Sequence, residues 1–153
     1  MRRGRPPACG LGRGSGRLPG SNAFAVASEY GVLKDVYLCR PDNFQWSDVA
    51  KEDTTANAVV RATLRDGVPF DKAAALSGYQ EFIAAYEGAG VTCHFVDTDP
   101  TLSYQIYTRD PSVMTPWGVF LGQMYRQQRR GEIATTYRFY EKLGIPVWNW
   151  ATA

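Results

Sequence analysis

The sequence predicts an α/β fold, on three observations. Short apolar runs alternate with amphipathic helical stretches, each helix leads into the next run across a link of only a few residues, and the order strand, strand, helix, strand is legible in the second half. With 153 residues, 44% of them hydrophobic and 13% aromatic, the chain has the size and character of one domain around one core.

Residues 1–22 stand apart from that pattern. They carry five arginines (Arg2, Arg3, Arg5, Arg13 and Arg17) and no acid, together with six glycines and three prolines. Such a segment cannot bury enough apolar surface to offset its ordering entropy, so 1–22 is expected to be a disordered tail and 23–153 the folded domain. The formal net charge of +2 hides this division, because outside the tail 12 basic residues face 15 acidic ones.

Along the domain, Val32 to Cys39 alternates as a strand and is broken by Arg40-Pro41-Asp42-Asn43. Ser47 to Gly67 has no dominant period and reads as an irregular excursion with room for a short helix. Asp71 then stands as a helix cap, and Leu76, Tyr79, Ile83 and Tyr86 recur at helical spacing until Gly88 and Gly90 end the run. Val91 to Val96 follows closely enough to be the neighbouring strand. In the second half, Ser112 to Thr115 and Val119 to Met124 flank a Pro116-Trp117-Gly118 turn. Gly131 to Leu143 is amphipathic through Ile133, Tyr137 and Tyr140, and Ile145 to Trp148 is apolar. The halves share this architecture without residue-level repetition.

Several function classes find no support. No apolar run reaches the length of a membrane span, and the first residues lack the apolar centre of a secretory signal, so the expectation is a cytoplasmic protein. Cys9, Cys39 and Cys93 have no metal-ligand spacing, and the single histidine, His94, cannot complete a zinc set with them. No metal is expected, and without a glycine-rich phosphate loop no organic cofactor either. Cys93 and His94 are adjacent in a strand, where successive side chains point to opposite faces, so they cannot act as nucleophile and base together. Cys39 and Cys93 read as structural residues, and Cys9 has no framework around it. Arg3-Gly4-Arg5-Pro6 is similar to the core of an AT-hook. Four residues in an Arg/Gly-biased segment are weak grounds for a nucleic-acid partner, and an unstructured leader or a misassigned start codon is the plainer reading.

Candidate chemistry centres on Ile106 to Gly118. Asp110 precedes Pro111, which disfavours helix at Asp110 and leaves it in a turn or extended, a suitable setting for a binding side chain. The planar cation that best matches a carboxylate fork is a guanidinium. From the residues alone, the competing reading is that Asp110 caps its own backbone or pairs with Arg109. Arg129 and Arg130 lie at a helix start, where cations oppose the helix dipole, so something else must justify them; Glu132 could simply neutralise one, and a solvated basic patch is the alternative.

Taken in order, Ser28-Glu29-Tyr30-Gly31 with Leu33-Lys34-Asp35-Val36, Cys39-Arg40-Pro41, Thr108-Arg109-Asp110-Pro111-Ser112, Arg129-Arg130-Gly131-Glu132 and Leu143-Gly144-Ile145-Pro146-Val147 resemble the amino-terminal half of the amidinotransferase and dimethylarginine dimethylaminohydrolase (DDAH) family, which includes arginine deiminases. The resemblance implies a pentein-type α/β propeller of five strand-strand-helix-strand modules, of which this chain would hold about two. It implies attack on a guanidinium carbon by a cysteine thiolate, with histidine as acid and base and carboxylates gripping the guanidinium. Asp110 matches the family's first substrate-binding acid, and Arg130 is assigned to the substrate carboxylate, although the sequence does not fix whether Arg129 or Arg130 turns inward. The family's catalytic histidine, later carboxylate and nucleophilic cysteine would lie beyond Ala153, so no catalytic residue is assigned. The expected function is the guanidinium-binding fragment of an enzyme acting on arginine or a relative, inactive alone. A non-catalytic module for a guanidino or cationic ligand is the second reading and a nucleic-acid-associated protein the third. Hydrolase and amidinotransferase chemistry are not distinguished, and oligomers are compatible with the uncovered module faces.

Overall fold

The structure, a computed structural model, describes residues 23–28, 30–45 and 58–151. The Arg-rich segment with its AT-hook-like run and most of the excursion before residue 58 lie outside the described residues.

Two small sheets and three helices make up the described chain. Strand β1 (Asp35–Leu38) runs parallel to β2 (Thr92–Phe95), with Asp35 opposite Thr92 and Leu38 opposite Phe95. Parallel neighbours require a crossover, and here it contains a one-turn 3-10 helix at Pro41–Asn43, helix α1 (Ala58–Arg65) and helix α2 (Lys72–Gly88). The second sheet has order β3-β4-β5. Strand β3 (Ser112–Thr115) forms a hairpin with β4 (Gly118–Gly122), and helix α3 (Glu132–Lys142) returns the chain so that β5 (Val147–Ala151) lies parallel to β4.

The second half therefore has the strand-strand-helix-strand order expected of it. The first half has one strand before its helices among the described residues, the order in which its elements are read from the sequence, and so does not repeat the strand-strand-helix-strand order of the second. Helix α1 is the short helix for which the Ser47 to Gly67 excursion left room; at eight residues it is too short to impose a period on a longer window. The first strand is shorter than Val32 to Cys39, since Val32 is 89% exposed and the ladder begins at Asp35. The last strand starts later than Ile145, which is instead a buried core residue.

Local chemistry accounts for the ends of α2. Asp71 is the N-cap, its carboxylate accepting from Ala74 N at 2.9 Å. At the other end Gly90 has φ +77°, its N–H bonds to Glu87 O at 2.9 Å, and Val91 N–H reaches back to Tyr86 O at 3.0 Å. Helix α3 closes the same way, with Gly144 at φ +65°, Gly144 N to Glu141 O at 3.0 Å and Ile145 N to Tyr140 O at 2.9 Å. Both are Schellman-type closures in which a left-handed glycine turns the chain into a strand.

The core joins the two sheets. Val119 and Leu121 on β4 are fully buried, and Cys39, Val96, Phe139, Tyr140 and Ile145 complete the cluster. Tyr37 of β1 packs its ring 4.4 Å from that of Phe139, while its hydroxyl shares a 3.2 Å hydrogen bond with Thr136. Helix α2 contributes no fully buried residue, although Leu76, Tyr79, Ile83 and Tyr86 are its half-buried face, as their spacing predicts. Strand β5 lies at the edge of its sheet with Trp148 and Trp150 about half exposed. Among the described residues no helix is long and apolar enough to cross a membrane.

Candidate functional site

The turn before β3 and the turn before α3 bring Asp110 together with Arg129, not with Arg130. Pro111 is fully buried and its carbonyl accepts Gly122 N–H at 2.9 Å, which pins the start of β3. Asp110 N–H closes a turn onto Tyr107 O at 3.2 Å, so the carboxylate projects from a fixed corner. A one-turn 3-10 helix at Gln127–Arg129 sets Arg129 opposite it.

Arg129, Asp110 and Glu132 form one ionic network. Arg129 Nε and Nη2 donate to the two oxygens of Glu132, each at 2.8 Å, in a fork-to-fork pair. The remaining guanidinium nitrogen, Nη1, donates to Asp110 Oδ2 at 2.7 Å. Arg129 Nη2 also approaches Tyr107 O at 3.4 Å, and its guanidinium lies over the Tyr107 ring, 5.6 Å from the centroid. Burial works against the Arg129 charge, but the hydrogen bonds it donates to Glu132 and Asp110 outweigh it and raise the guanidinium pKa. Burial likewise pushes the Glu132 carboxyl up, against the downward pull of Arg129.

The three members differ in access. The Glu132 side chain is 2% exposed and that of Arg129 11%, whereas Asp110 is 45% exposed. Among the described residues Arg129 is the one side-chain partner of Asp110 and meets Oδ2, which leaves the acceptor capacity of Oδ1 unused on a side chain that is half exposed. Beside it Tyr107 and Tyr104 are stacked with centroids 6.3 Å apart, and Phe44 meets Tyr107 edge-on at 6.0 Å. A half-exposed carboxylate beside aromatic rings, its other oxygen immobilised, can accept an N–H from a planar cation.

Asp110 pairs with Arg129 across the turn rather than with Arg109, which is exposed. Of the two adjacent arginines it is Arg129 that is buried, and Arg130 is exposed. Glu132 is far more than a local neutraliser, being the most buried member of the network. The signal for that was the three-residue separation of Arg129 and Glu132 at a helix start, which puts both on one face.

Neither of the two described cysteines is activated. Burial, with Asp42 and Glu132 nearby, pushes the Cys39 thiol up to about 12. Burial and Glu87 also raise Cys93. His94 is engaged elsewhere, its Nε2 2.8 Å from Asp35 Oδ1. Among the described residues no group of three or more His, Cys, Asp or Glu side chains could hold a metal ion.

No protein-family model matches this chain. No curated protein matches it either. Solved structures do. Apo ArgZ, an arginine dihydrolase from the ornithine-ammonia cycle in cyanobacteria, superposes with a TM-score of 0.58 at 14% identity over 75% of this chain and 16% of its own. DDAH from Pseudomonas aeruginosa, a cysteine-to-serine variant complexed with citrulline, gives 0.56 at 17% identity over 76% of this chain and 41% of its own. AgrE in a ternary complex with ornithine and NAD+ gives 0.59 at 13% identity over 78% of this chain and 16% of its own. The chain thus has the fold of part of these proteins and spans less than half the length of each, in agreement with the pentein resemblance of its motifs.

Proposed function

We propose that this chain, having the fold of part of the guanidino-modifying enzymes, is the guanidinium-binding portion of such an enzyme and lacks catalytic power by itself. The observation that carries this reading is Asp110, fixed through one oxygen by Arg129 and open through the other. A substrate guanidinium would donate to Oδ1 and lie against the Tyr107 side of the site. Arg130, exposed on the same turn as Arg129, is the candidate partner for the carboxylate of an arginine-like ligand. A propeller completed by further modules would enclose this corner, and those modules would supply the nucleophile, the histidine and the second acid. Burial raises the thiols of Cys39 and Cys93, which supports the reading that neither is the nucleophile.

The direct test is binding of L-arginine, methylarginine and agmatine to the chain and to Asp110→Asn. The substitution keeps the shape and removes the charge. Affinity should fall about ten- to hundredfold, the equivalent of the ~1.5 to 3 kcal/mol of a hydrogen bond to a charged group. Equal affinities for the two proteins would take Asp110 out of the site. In the same samples neither citrulline nor ammonia should accumulate, and turnover blocked by iodoacetamide would mean that one of the cysteines is a working nucleophile after all.

A further inference from the structure

A second candidate site lies at the other end of β1. A partly open cavity of about 130 Å³ separates the two sheets there, walled by Met114, Phe139, Leu143 and Ile145 and flanked by Phe24. Tyr37 and Tyr140 also border it, but their hydroxyls are engaged by Thr136 and Ser112 at 3.2 and 2.9 Å. The polar feature left to the cavity is the pair formed by Asp35, the first residue of β1, and His94 of β2. Phe24 holds the His94 ring edge-on, with centroids 5.5 Å apart and planes at 89°. Asp35 is 38% exposed, so its carboxylate stands at the rim, where one oxygen meets His94 and the other remains an acceptor.

We propose that this cavity binds a small primary amine with an apolar body about the size of a benzene ring. An apolar protein cavity of ~150 Å³ holds benzene, which sets the size of the body. The rim sets the head group, because Asp35 repels an anion and offers a cationic N–H donor a charge-assisted bond, while the tyrosine hydroxyls that border the cavity are already engaged by Thr136 and Ser112. His94 fixes the carboxylate towards one side and is a positioning residue. Asp110 takes no part, since it belongs to the turn before β3 and does not border this cavity.

Saturation-transfer NMR on the full chain, titrating benzylamine, benzyl alcohol and benzoate, tests this. Benzylamine should bind at least tenfold more tightly than benzyl alcohol, and benzoate should bind least. Asp35→Asn should bring benzylamine to the level of the alcohol, Leu143→Trp should fill the cavity and remove both, and Asp110→Asn should leave benzylamine binding unchanged. The proposal is overturned by equal binding of amine and alcohol, by an Asp35→Asn chain that keeps the preference, by loss of benzylamine binding in Asp110→Asn, or by no transfer to any probe. If circular dichroism finds Leu143→Trp unfolded, the Asp35→Asn comparison decides alone.

Discussion

Glu132→Ala should be among the most damaging single substitutions in this chain, costing about 3 to 5 kcal/mol. The alanine removes both acceptors of the Arg129 fork and leaves a guanidinium whose side chain is 11% exposed with Asp110 as its one remaining ionic partner among the described residues. Domains of this size hold only ~5 to 15 kcal/mol of net stability, so urea denaturation should find Glu132→Ala partly or wholly unfolded in buffer. Glu132→Gln keeps the shape and one acceptor and should cost less. Replacing both partners, as Arg129→Met with Glu132→Leu, removes the buried charges together and should restore much of the stability. That double variant releases Asp110, so it separates the two roles of the network: a folded protein that has lost guanidinium affinity would mean that Arg129 orients Asp110. A Glu132→Ala chain as stable as the parent would mean that the fork contributes nothing.

The second large effect is expected at the β3-β4 hairpin. Gly118 has φ +144°, and a Cβ there would sit 2.3 Å from Pro146 O. That carbonyl cannot retreat cheaply, because it accepts Val119 N–H at 2.9 Å where β4 meets β5. Gly118→Ala therefore combines backbone strain of ~1 to 3 kcal/mol with a clash that opens the sheet at its parallel pair. Two other glycines calibrate it. Gly144 also has a positive φ but open space around its Cβ position, so Gly144→Ala should cost only the strain of the left-handed conformation, ~1 to 2 kcal/mol. Gly122 has open space and no positive φ, and its alanine variant should be near neutral. Thermal melts that rank the three in any other order would refute the steric account.

The elements that the sequence made legible are those whose signal is local. The Asp71 cap, the half-buried face of α2, β3 at Ser112–Thr115 and the amphipathic α3 depend on neighbours within a turn or two, and all are found. Helix α1 was obscured by its length, and the ends of β1 and β5 by their dependence on partner strands distant in sequence. The candidate site followed the same division. Asp110 could be picked out from its place before Pro111, but its pairing with Arg129, 19 residues on, is a tertiary fact. For the same reason the sequence could not choose between Arg129 and Arg130, or foresee that Glu132 would be almost completely buried.

The matching closures of α2 and α3 bear on how far a sequence can drift while its chain path persists. Each helix-to-strand corner asks for one residue able to adopt a left-handed conformation, followed by an apolar residue that enters the core, Gly90-Val91 in one case and Gly144-Ile145 in the other. The remaining positions of the corner are fixed by backbone hydrogen bonds, which any residue except proline can supply through its N–H. A repeated unit held by so few obligatory residue types stores little recognisable text. That is a physical reason why the two halves of this chain share a corner without sharing a sequence, and why most of its path superposes on part of ArgZ at 14% identity although no family model and no curated protein matches it.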